Sequence, residues 1–85
     1  MPAKSTREKI QSAVIAALRN RRESVPMSMN KLAEKSGLSL TMISFVEREL
    51  RKPTLDTLLR IADALDIELS TVIAQATKTA KRGKS

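Results

Sequence analysis

The fold is decided by residues 28–65, which read SMNKLAEKSGLSLTMISFVERELRKPTLDTLLRIADAL. Apolar residues recur in this stretch at intervals of three and four, which is the spacing of one helical face. Gly37 tolerates positive φ and Pro53 interrupts the helical pattern, so several short helices are predicted instead of one long helix. Residues suited to N-capping stand at three predicted starts, namely Ser28, Ser39 and Thr54. The stretch therefore predicts three consecutive helices, with a tight turn at Gly37 between the first two.

Two further helices are predicted on either side of this stretch. Ser5 and Glu8 have the spacing of a capping box, and the apolar pattern after them predicts a helix over roughly 6–22. Beyond the central stretch, Ser70 is predicted to cap a last helix that ends near Thr77. The sequence thus predicts an all-α fold of five helices.

The chain has room for a single domain, since domains usually span about 50–250 residues and it contains 85. The five predicted helices place that domain at residues 6–77. Residues 1–5 and 78–85 show no apolar periodicity, so a flexible N-terminus and a basic, disordered tail are predicted there.

The composition excludes most enzyme mechanisms. The chain contains no Cys and no His, so it has no disulfide, no thiolate nucleophile, no imidazole base and no Cys/His zinc site. It also lacks a Gly-rich phosphate loop, metal-ligand spacing and a paired-acid motif. We therefore predict that the protein is not an enzyme and that it uses no cofactor and no metal.

The net charge favours a polyanionic partner. Sixteen Lys and Arg against nine Asp and Glu give a formal net charge of +7, which suits nucleic acid or an anionic membrane surface. Phe45 is the one aromatic residue, so a stacking platform for single strands cannot be built and duplex DNA is favoured. No apolar run approaches the length of a membrane span and no secretory signal is present, so a cytoplasmic location without membrane association is predicted.

The second and third helices form a helix-turn-helix pattern, because a two-turn helix and a Gly-containing tight turn precede another short helix. In that arrangement the first helix crosses the DNA backbone and the second lies in the major groove, where base pairs differ in their donors, acceptors and methyl groups. Any pair of short helices has similar spacing, so the pattern alone leaves other functions open.

Three stretches resemble one known family. These are LAEKSGLS at residues 32–39, the triple of Ile43, Ser44 and Glu47, and PTLDTLLRIADAL at residues 53–65. They are similar to the helix-turn-helix domain of lambda-repressor and Cro-like regulators, often called XRE-type, and the similarity extends over roughly residues 10–75. The resemblance implies a five-helix domain that binds operator DNA in a prokaryote or a phage, and hence a nucleoid-associated protein.

The resemblance places five residues on the groove-facing side of the third helix, and we predict that they read bases: Ser39, Leu40, Thr41, Ser44 and Phe45. The family mainly uses Gln, Arg, Asn or Lys at such positions, and this sequence departs from that pattern. We expect Leu40 or Phe45 to contact thymine methyl groups while Thr41 and Ser44 hydrogen-bond nearby. The alternative for the two apolar residues is packing against a partner chain or a neighbouring helix.

A second set of residues is predicted to contact phosphates: Ser28, Met29, Asn30, Arg48, Arg51 and Lys52. Met29 stands where similar proteins often have a Gln, so the contact there is expected from backbone N–H groups at the helix start. Ordinary core packing is the alternative for Met29, and a solvated face is the alternative for the cations. Lys31 and Lys35 are candidates for additional contacts, and Glu49 replaces the family's usual Gly at the end of the third helix.

Glu47 is predicted to face the core, where a carboxylate needs a cationic partner. The resemblance implies a structural ion pair between Glu47 and Arg19, because the pair Leu18 and Arg19 is similar to the family's pattern in the first helix. Arg22 is the alternative partner, since the loop that follows is about three residues longer than usual.

These observations predict a sequence-specific, double-stranded DNA-binding transcriptional regulator that acts as a repressor. A homodimer through helix 5 is expected from its apolar residues, Ile67, Leu69, Val72 and Ile73, and no small-molecule ligand is expected. The rival hypothesis is a protein-interaction module of the same fold, of the antitoxin or antirepressor type, that binds its partner with Leu40 and Phe45. Membrane-surface binding is disfavoured because the first helix has no aromatic anchor.

Overall fold

Five α-helices account for most of residues 4–82, which are the residues that the computed structural model describes. The helices are α1 (Thr6–Ser24), α2 (Met29–Ser36), α3 (Leu40–Glu47), α4 (Leu55–Ala64) and α5 (Leu69–Arg82). The described residues contain no β-strand. The predicted all-α, five-helix fold is confirmed.

The helix starts follow from local capping chemistry. Four of the five predicted N-cap side chains accept a hydrogen bond from the backbone N–H three residues later: Ser5, Ser28, Ser39 and Thr54. Ser5 and Glu8 form the predicted capping box, and the hydrogen bond from the Ser5 backbone N–H lowers the pKa of Glu8 below its ordinary value. Because the pKa of Glu8 is lowered in the folded state, this hydrogen bond stabilises the fold at pH values above the ordinary pKa of the glutamate. The stabilisation is lost as the pH falls through the lowered pKa.

Three helices are followed, within two residues of their last one, by a residue in the left-handed backbone region. Gly37 has φ of 75° after α2, as predicted, whereas Glu49 after α3 and Asp66 after α4 adopt φ of 56° and 57° without being glycine. In each case the following residue donates its N–H to a carbonyl five residues earlier, for example Leu50 to Phe45 at 2.8 Å. These bonds satisfy the free carbonyls at the helix ends and let the chain turn sharply into the next element.

One hydrophobic core draws side chains from all five helices. Its largest fully buried members are Leu32, Ile43, Val46 and Leu65. α1 packs mainly against α5, while α2 packs against both α3 and α4. Leu32, Ala33 and Ser36 are buried on the inner face of α2. The core therefore fixes α3 by one face and leaves its other face at the surface.

The two ends of the chain differ from the sequence-based boundaries. α5 begins at Leu69 and continues to Arg82, so it neither starts at a Ser70 cap nor ends near Thr77. Ala76 and Ala80 are buried on one face of α5, which explains why the helix continues. The prediction of a disordered tail is therefore wrong for residues 78–82, while residues 83–85 lie outside the described part.

The N-terminal boundary also shifts. Ser5 is ordered by the capping box, and Lys4 donates a hydrogen bond from Nζ to Ser12 Oγ at 2.9 Å. Of the predicted flexible residues 1–5, the first three lie outside the described residues. α1 ends at Ser24, two residues beyond the predicted end. Within residues 4–82, no helix combines the length and the apolar character that crossing a membrane requires.

Candidate nucleic-acid interface

The turn between α2 and α3 is held in one conformation by several contacts. Gly37 has φ of 75°, and a Cβ atom at this position would lie 3.3 Å from Arg60 Nη1. Leu38 donates its N–H to the Ala33 carbonyl at 3.2 Å, and Ser36 Oγ accepts from Leu38 N at 3.3 Å. A side chain at residue 37 would be strained in its backbone and crowded by Arg60. The turn therefore sets the angle at which α3 leaves α2.

α3 presents a buried face and a surface face. Ile43 and Val46 are buried in the core, and Ile43 has no exposed surface. The opposite side and the start of the helix carry all five predicted base-reading residues, of which Ser39, Leu40 and Thr41 are exposed and Ser44 and Phe45 are half-buried. Leu40 is 43% exposed. The fold brings these residues together on one surface, while their base-reading role stays a prediction.

Phe45 and Arg51 are in contact, although separate roles were predicted for them. The Arg51 guanidinium carbon lies 6.0 Å from the centroid of the Phe45 ring, at the outer limit of a cation–π interaction. The ring therefore restricts where this guanidinium can lie. Phe45 sits between the exposed face of α3 and the cationic turn that follows it.

The turn after α3 carries three exposed cations, Arg48, Arg51 and Lys52. Within residues 4–82, the salt bridges are formed by other cations, namely Arg22, Lys31 and Arg60. Arg48, Arg51 and Lys52, the predicted phosphate contacts, take part in none of these salt bridges. They lie exposed directly after the candidate recognition helix.

The start of α2 carries Ser28, Met29 and Asn30, whose phosphate contacts stay predictions. The hydroxyl of Ser28 caps the helix by accepting from Lys31 N at 3.0 Å, and Asn30 is exposed. The Met29 side chain packs against the hydrophobic core, as the alternative interpretation expected, and the predicted contact concerns its backbone N–H. Lys31 pairs with Glu34 at 3.0 Å on the surface.

The partner of Glu47 is Arg22, which corrects the predicted pair of Glu47 and Arg19. Arg22 donates from Nε to Oε2 at 2.6 Å and from Nη2 to Oε1 at 2.9 Å, and the side chains are 12% and 11% exposed. Arg19 reaches only the backbone carbonyl of Glu47, at 3.4 Å. Arg22 also donates from Nη1 to the Met27 carbonyl at 2.8 Å, so each of its three guanidinium nitrogens donates a hydrogen bond. Bonding to the carboxylate raises the pKa of Arg22.

The sequence did not indicate a contact between Glu49 and Ser12. Ser12 Oγ donates to Glu49 Oε1 at 2.8 Å across 37 residues of sequence. Such a long separation leaves no local pattern, and the only signal was the replacement of a family glycine by Glu49. The two residues lie beside a surface depression of about 490 Å³ that is also lined by Lys4, Arg51 and Lys52.

The chain is similar to known proteins both in sequence and in fold. A family model described as "Helix-turn-helix" matches residues 18–72. An uncharacterized HTH-type transcriptional regulator of Mycobacterium tuberculosis is 44% identical over 59 residues, which is 69% of this chain and 42% of the relative. The chain thus spans less than half the length of this relative.

Two solved structures share the arrangement of helices. The restriction-modification controller protein C.AhdI from Aeromonas hydrophila is 34% identical with a TM-score of 0.68, over 73% of this chain and 94% of that chain. A mutant of the controller protein C.Esp1396I, bound to its highest-affinity operator site, is 28% identical with a TM-score of 0.74, over 85% of this chain and 95% of that one. The structural match covers nearly the whole length of each of these two proteins.

Proposed function

The chain belongs to the helix-turn-helix family, and from that premise we propose that it is a sequence-specific, duplex DNA-binding regulator of transcription. The observation that carries the proposal is the surface of α3, where a face of small polar and apolar side chains ends in three exposed cations. The relative described above is named as a transcriptional regulator, which is not an enzyme class. The operator-bound neighbour supports double-stranded DNA as the ligand.

The dimensions of α3 suit the major groove. An α-helix with its side chains is about 10–12 Å across, and the major groove is about 12 Å wide, so a helix such as α3 can lie in it. We propose that the exposed start of α3 contacts base edges, with Leu40 meeting thymine methyl groups and Thr41 and Ser44 forming hydrogen bonds.

The cations after α3 are assigned to the DNA backbone. Arg48, Arg51 and Lys52 follow the recognition helix, so they reach phosphates on the flank of the groove while α3 lies inside it. The N-terminus of α2 adds backbone N–H groups, with Asn30 exposed beside them. Phosphate contacts fix the register of the protein, and the α3 contacts supply the sequence preference.

Replacing Thr41 or Ser44 by Ala is expected to change which sequences the protein prefers. Loss of a base contact costs about 1–3 kcal/mol at the matched site, or roughly 5–150-fold in affinity, with little change on scrambled duplex. Fluorescence anisotropy with cognate and scrambled duplexes measures both values. Thr71→Ala, an exposed threonine of α5, is the matched control. Equal losses on the two duplexes would contradict base reading by these residues.

We also propose a homodimer through α5, with a different set of residues from the one predicted. Leu69 and Val72 are buried in the core of their own chain, whereas Ile73 is 37% exposed. Ile73 lines the surface depression together with Leu58 of α4, and the exposed Leu55 and Leu59 flank Leu58 in sequence. Two copies joined by this apolar face would bind half-sites about 34 Å apart. Occupying such a site denies it to other proteins, which is the basis for proposing repression.

Charged substitutions on this apolar face are expected to separate the dimer. Ile73→Glu and Leu59→Glu place a carboxylate in the proposed interface without touching the core. Sedimentation velocity should show the wild type as a dimer and each variant as a monomer. Val25→Glu, at an exposed valine after α1, is the control and should remain dimeric. A dimer that survives both substitutions would place the interface elsewhere.

A second candidate function rests on the exposed Leu40, which is unusual on a groove-facing surface. An apolar side chain that is 43% exposed also suits an interface with another protein. Under this hypothesis DNA binding is weak and insensitive to sequence, so the affinity ratio between selected and scrambled duplexes distinguishes the two functions.

A regulator of this family would work where the chromosome is, at the nucleoid of a bacterium or on phage DNA in the cytoplasm.

A further inference from the structure

Glu49 lies inside the proposed phosphate-binding turn, between Arg48 and Arg51. A carboxylate at such a position repels the phosphates that its neighbours attract. Its backbone is also unfavourable for a residue with a side chain, since φ is 56°. A glycine would supply the same turn without strain and without charge. A contact that holds the Glu49 carboxylate away from the phosphates would reduce this repulsion.

A chain of two hydrogen bonds supplies that contact. Ser12 Oγ donates to Glu49 Oε1 at 2.8 Å, and it accepts from Lys4 Nζ at 2.9 Å. A hydroxyl has one donor and spare acceptor capacity, so both bonds can exist together. The first turns of α1 thus hold the carboxylate and place a cation close to it.

The surroundings of the turn make this chain of hydrogen bonds important for its position. Lys4, Ser12, Glu49, Arg51 and Lys52 all line the depression of about 490 Å³ between the start of α1, the turn and α5. Within one chain, close-packed side chains therefore do not support the turn on this side. The other described hydrogen bonds from α1 to the end of α3 come from Arg19 and Arg22, and they reach Glu47, two residues before.

We propose that Ser12 is a positioning residue for DNA binding, which with Lys4 holds the Glu49 carboxylate against α1 and away from the phosphates. The proposal rests on the DNA-binding function proposed above. Ser12 touches no DNA in this account. Its role is to keep the acidic side chain of the turn from opposing Arg48, Arg51 and Lys52.

The magnitude follows from counterion release. One phosphate contact changes the salt slope by about 0.9, which is close to one order of magnitude in affinity at 0.1 M salt relative to 1 M. A released carboxylate cancels at most one such contact. Ser12→Ala should therefore weaken binding by about 3–10-fold at 0.1 M salt, equally on cognate and scrambled duplexes, and the loss should shrink as salt is raised.

A double-mutant cycle tests the proposal. Ser12→Ala is measured in the wild-type background and in a Glu49→Gln background, where the side chain keeps its size and loses its charge. The loss of affinity should appear in the wild-type background and disappear in the Glu49→Gln background. Ser12→Thr retains the hydroxyl and should bind like the wild type. Ser24→Ala, a serine at the other end of α1 whose hydroxyl donates to the Arg21 carbonyl at 3.0 Å, is the control.

The outcomes separate this inference from the function on which it rests. If Ser12→Ala weakens binding equally in both backgrounds, or has no effect with Glu49 present, the positioning role is overturned while DNA binding stands. If the wild type binds no duplex at any salt concentration, the proposed function fails and this inference fails with it. Thermal unfolding of each variant shows whether a loss of affinity comes from a loss of folded protein.

Discussion

Glu47→Ala is expected to lower the free energy of unfolding by about 3–5 kcal/mol, because it leaves the largely buried Arg22 guanidinium without its charge partner. The pair is nearly withdrawn from solvent, with side chains 12% and 11% exposed, and it joins α1 to α3 through two hydrogen bonds. Proteins have a total stability of about 5–15 kcal/mol, so this change removes a large part of it. Urea unfolding followed by circular dichroism measures the loss.

Two controls separate the pair from its surroundings. Arg19→Ala should cost less than about 1 kcal/mol, because exposed contacts contribute little and Arg19 reaches only the Glu47 carbonyl. Replacing both partners by apolar residues, as in Arg22→Met with Glu47→Leu, should recover most of the loss since no buried charge remains unpaired. A larger loss for Arg19→Ala than for Glu47→Ala would show that the pairing described here is wrong.

Removing the three cations after α3 is expected to weaken DNA binding by about 10²–10³-fold at 0.1 M salt. Each phosphate contact adds about 0.9 to the salt slope, so the variant Arg48→Ala, Arg51→Ala, Lys52→Ala should lose close to 2.7 from that slope. The loss should be the same on cognate and scrambled duplexes, because phosphate contacts carry no sequence information. Anisotropy titrations over a salt series give the slope directly.

A charge-matched variant distinguishes local contacts from net charge. Lys9→Ala, Lys78→Ala, Lys81→Ala removes the same charge from α1 and α5, and it should change the slope by much less. The three cations of the turn are exposed, so their removal should leave the unfolding transition unchanged. If both variants weaken binding alike, the turn has no special part in DNA binding.

The helix boundaries were predictable where the chemistry is local. Ser28, Ser39 and Thr54 cap the helices they precede, because a short hydroxyl side chain can satisfy a free N–H wherever a helical run follows. Leu32, Ile43 and Val46 recur at helical spacing and are buried, whereas Leu50, Leu55 and Leu59 share that spacing and are exposed. Such patterns depend on residues within a few positions of one another, so one sequence is enough to read them.

The errors concern contacts between distant parts of the chain. The choice of Arg22 over Arg19 depends on how far α1 continues, and the extension of α5 depends on Ala80 finding a buried position against the rest of the fold. Leu69 and Val72 were assigned to a dimer, but the core of their own chain buries them. In each case the outcome depends on packing between parts of the chain that are distant in sequence, which the local sequence does not show.

The sequence predicted which residues form the candidate site, but it did not predict all of their side-chain contacts. The resemblance placed Ser39, Leu40, Thr41, Ser44 and Phe45 together, and they do share the start and outer side of α3. Core packing of Met29 was one of the two interpretations that the sequence allowed. The contact of Phe45 with Arg51 could not be read from the sequence, because it depends on the path of the turn after α3. What these residues contact on DNA stays a prediction.

Selection of binding sites from a random duplex library tests the central claim most directly, with the selected site then titrated against a scrambled duplex over a salt series. A regulator that reads bases with α3 should enrich one motif and bind it about 10³-fold or more tightly than scrambled DNA. Two symmetric half-sites in that motif would agree with a dimer. Absence of an enriched motif, with binding that depends only on salt, would contradict sequence-specific recognition and favour a protein partner for Leu40 and Phe45.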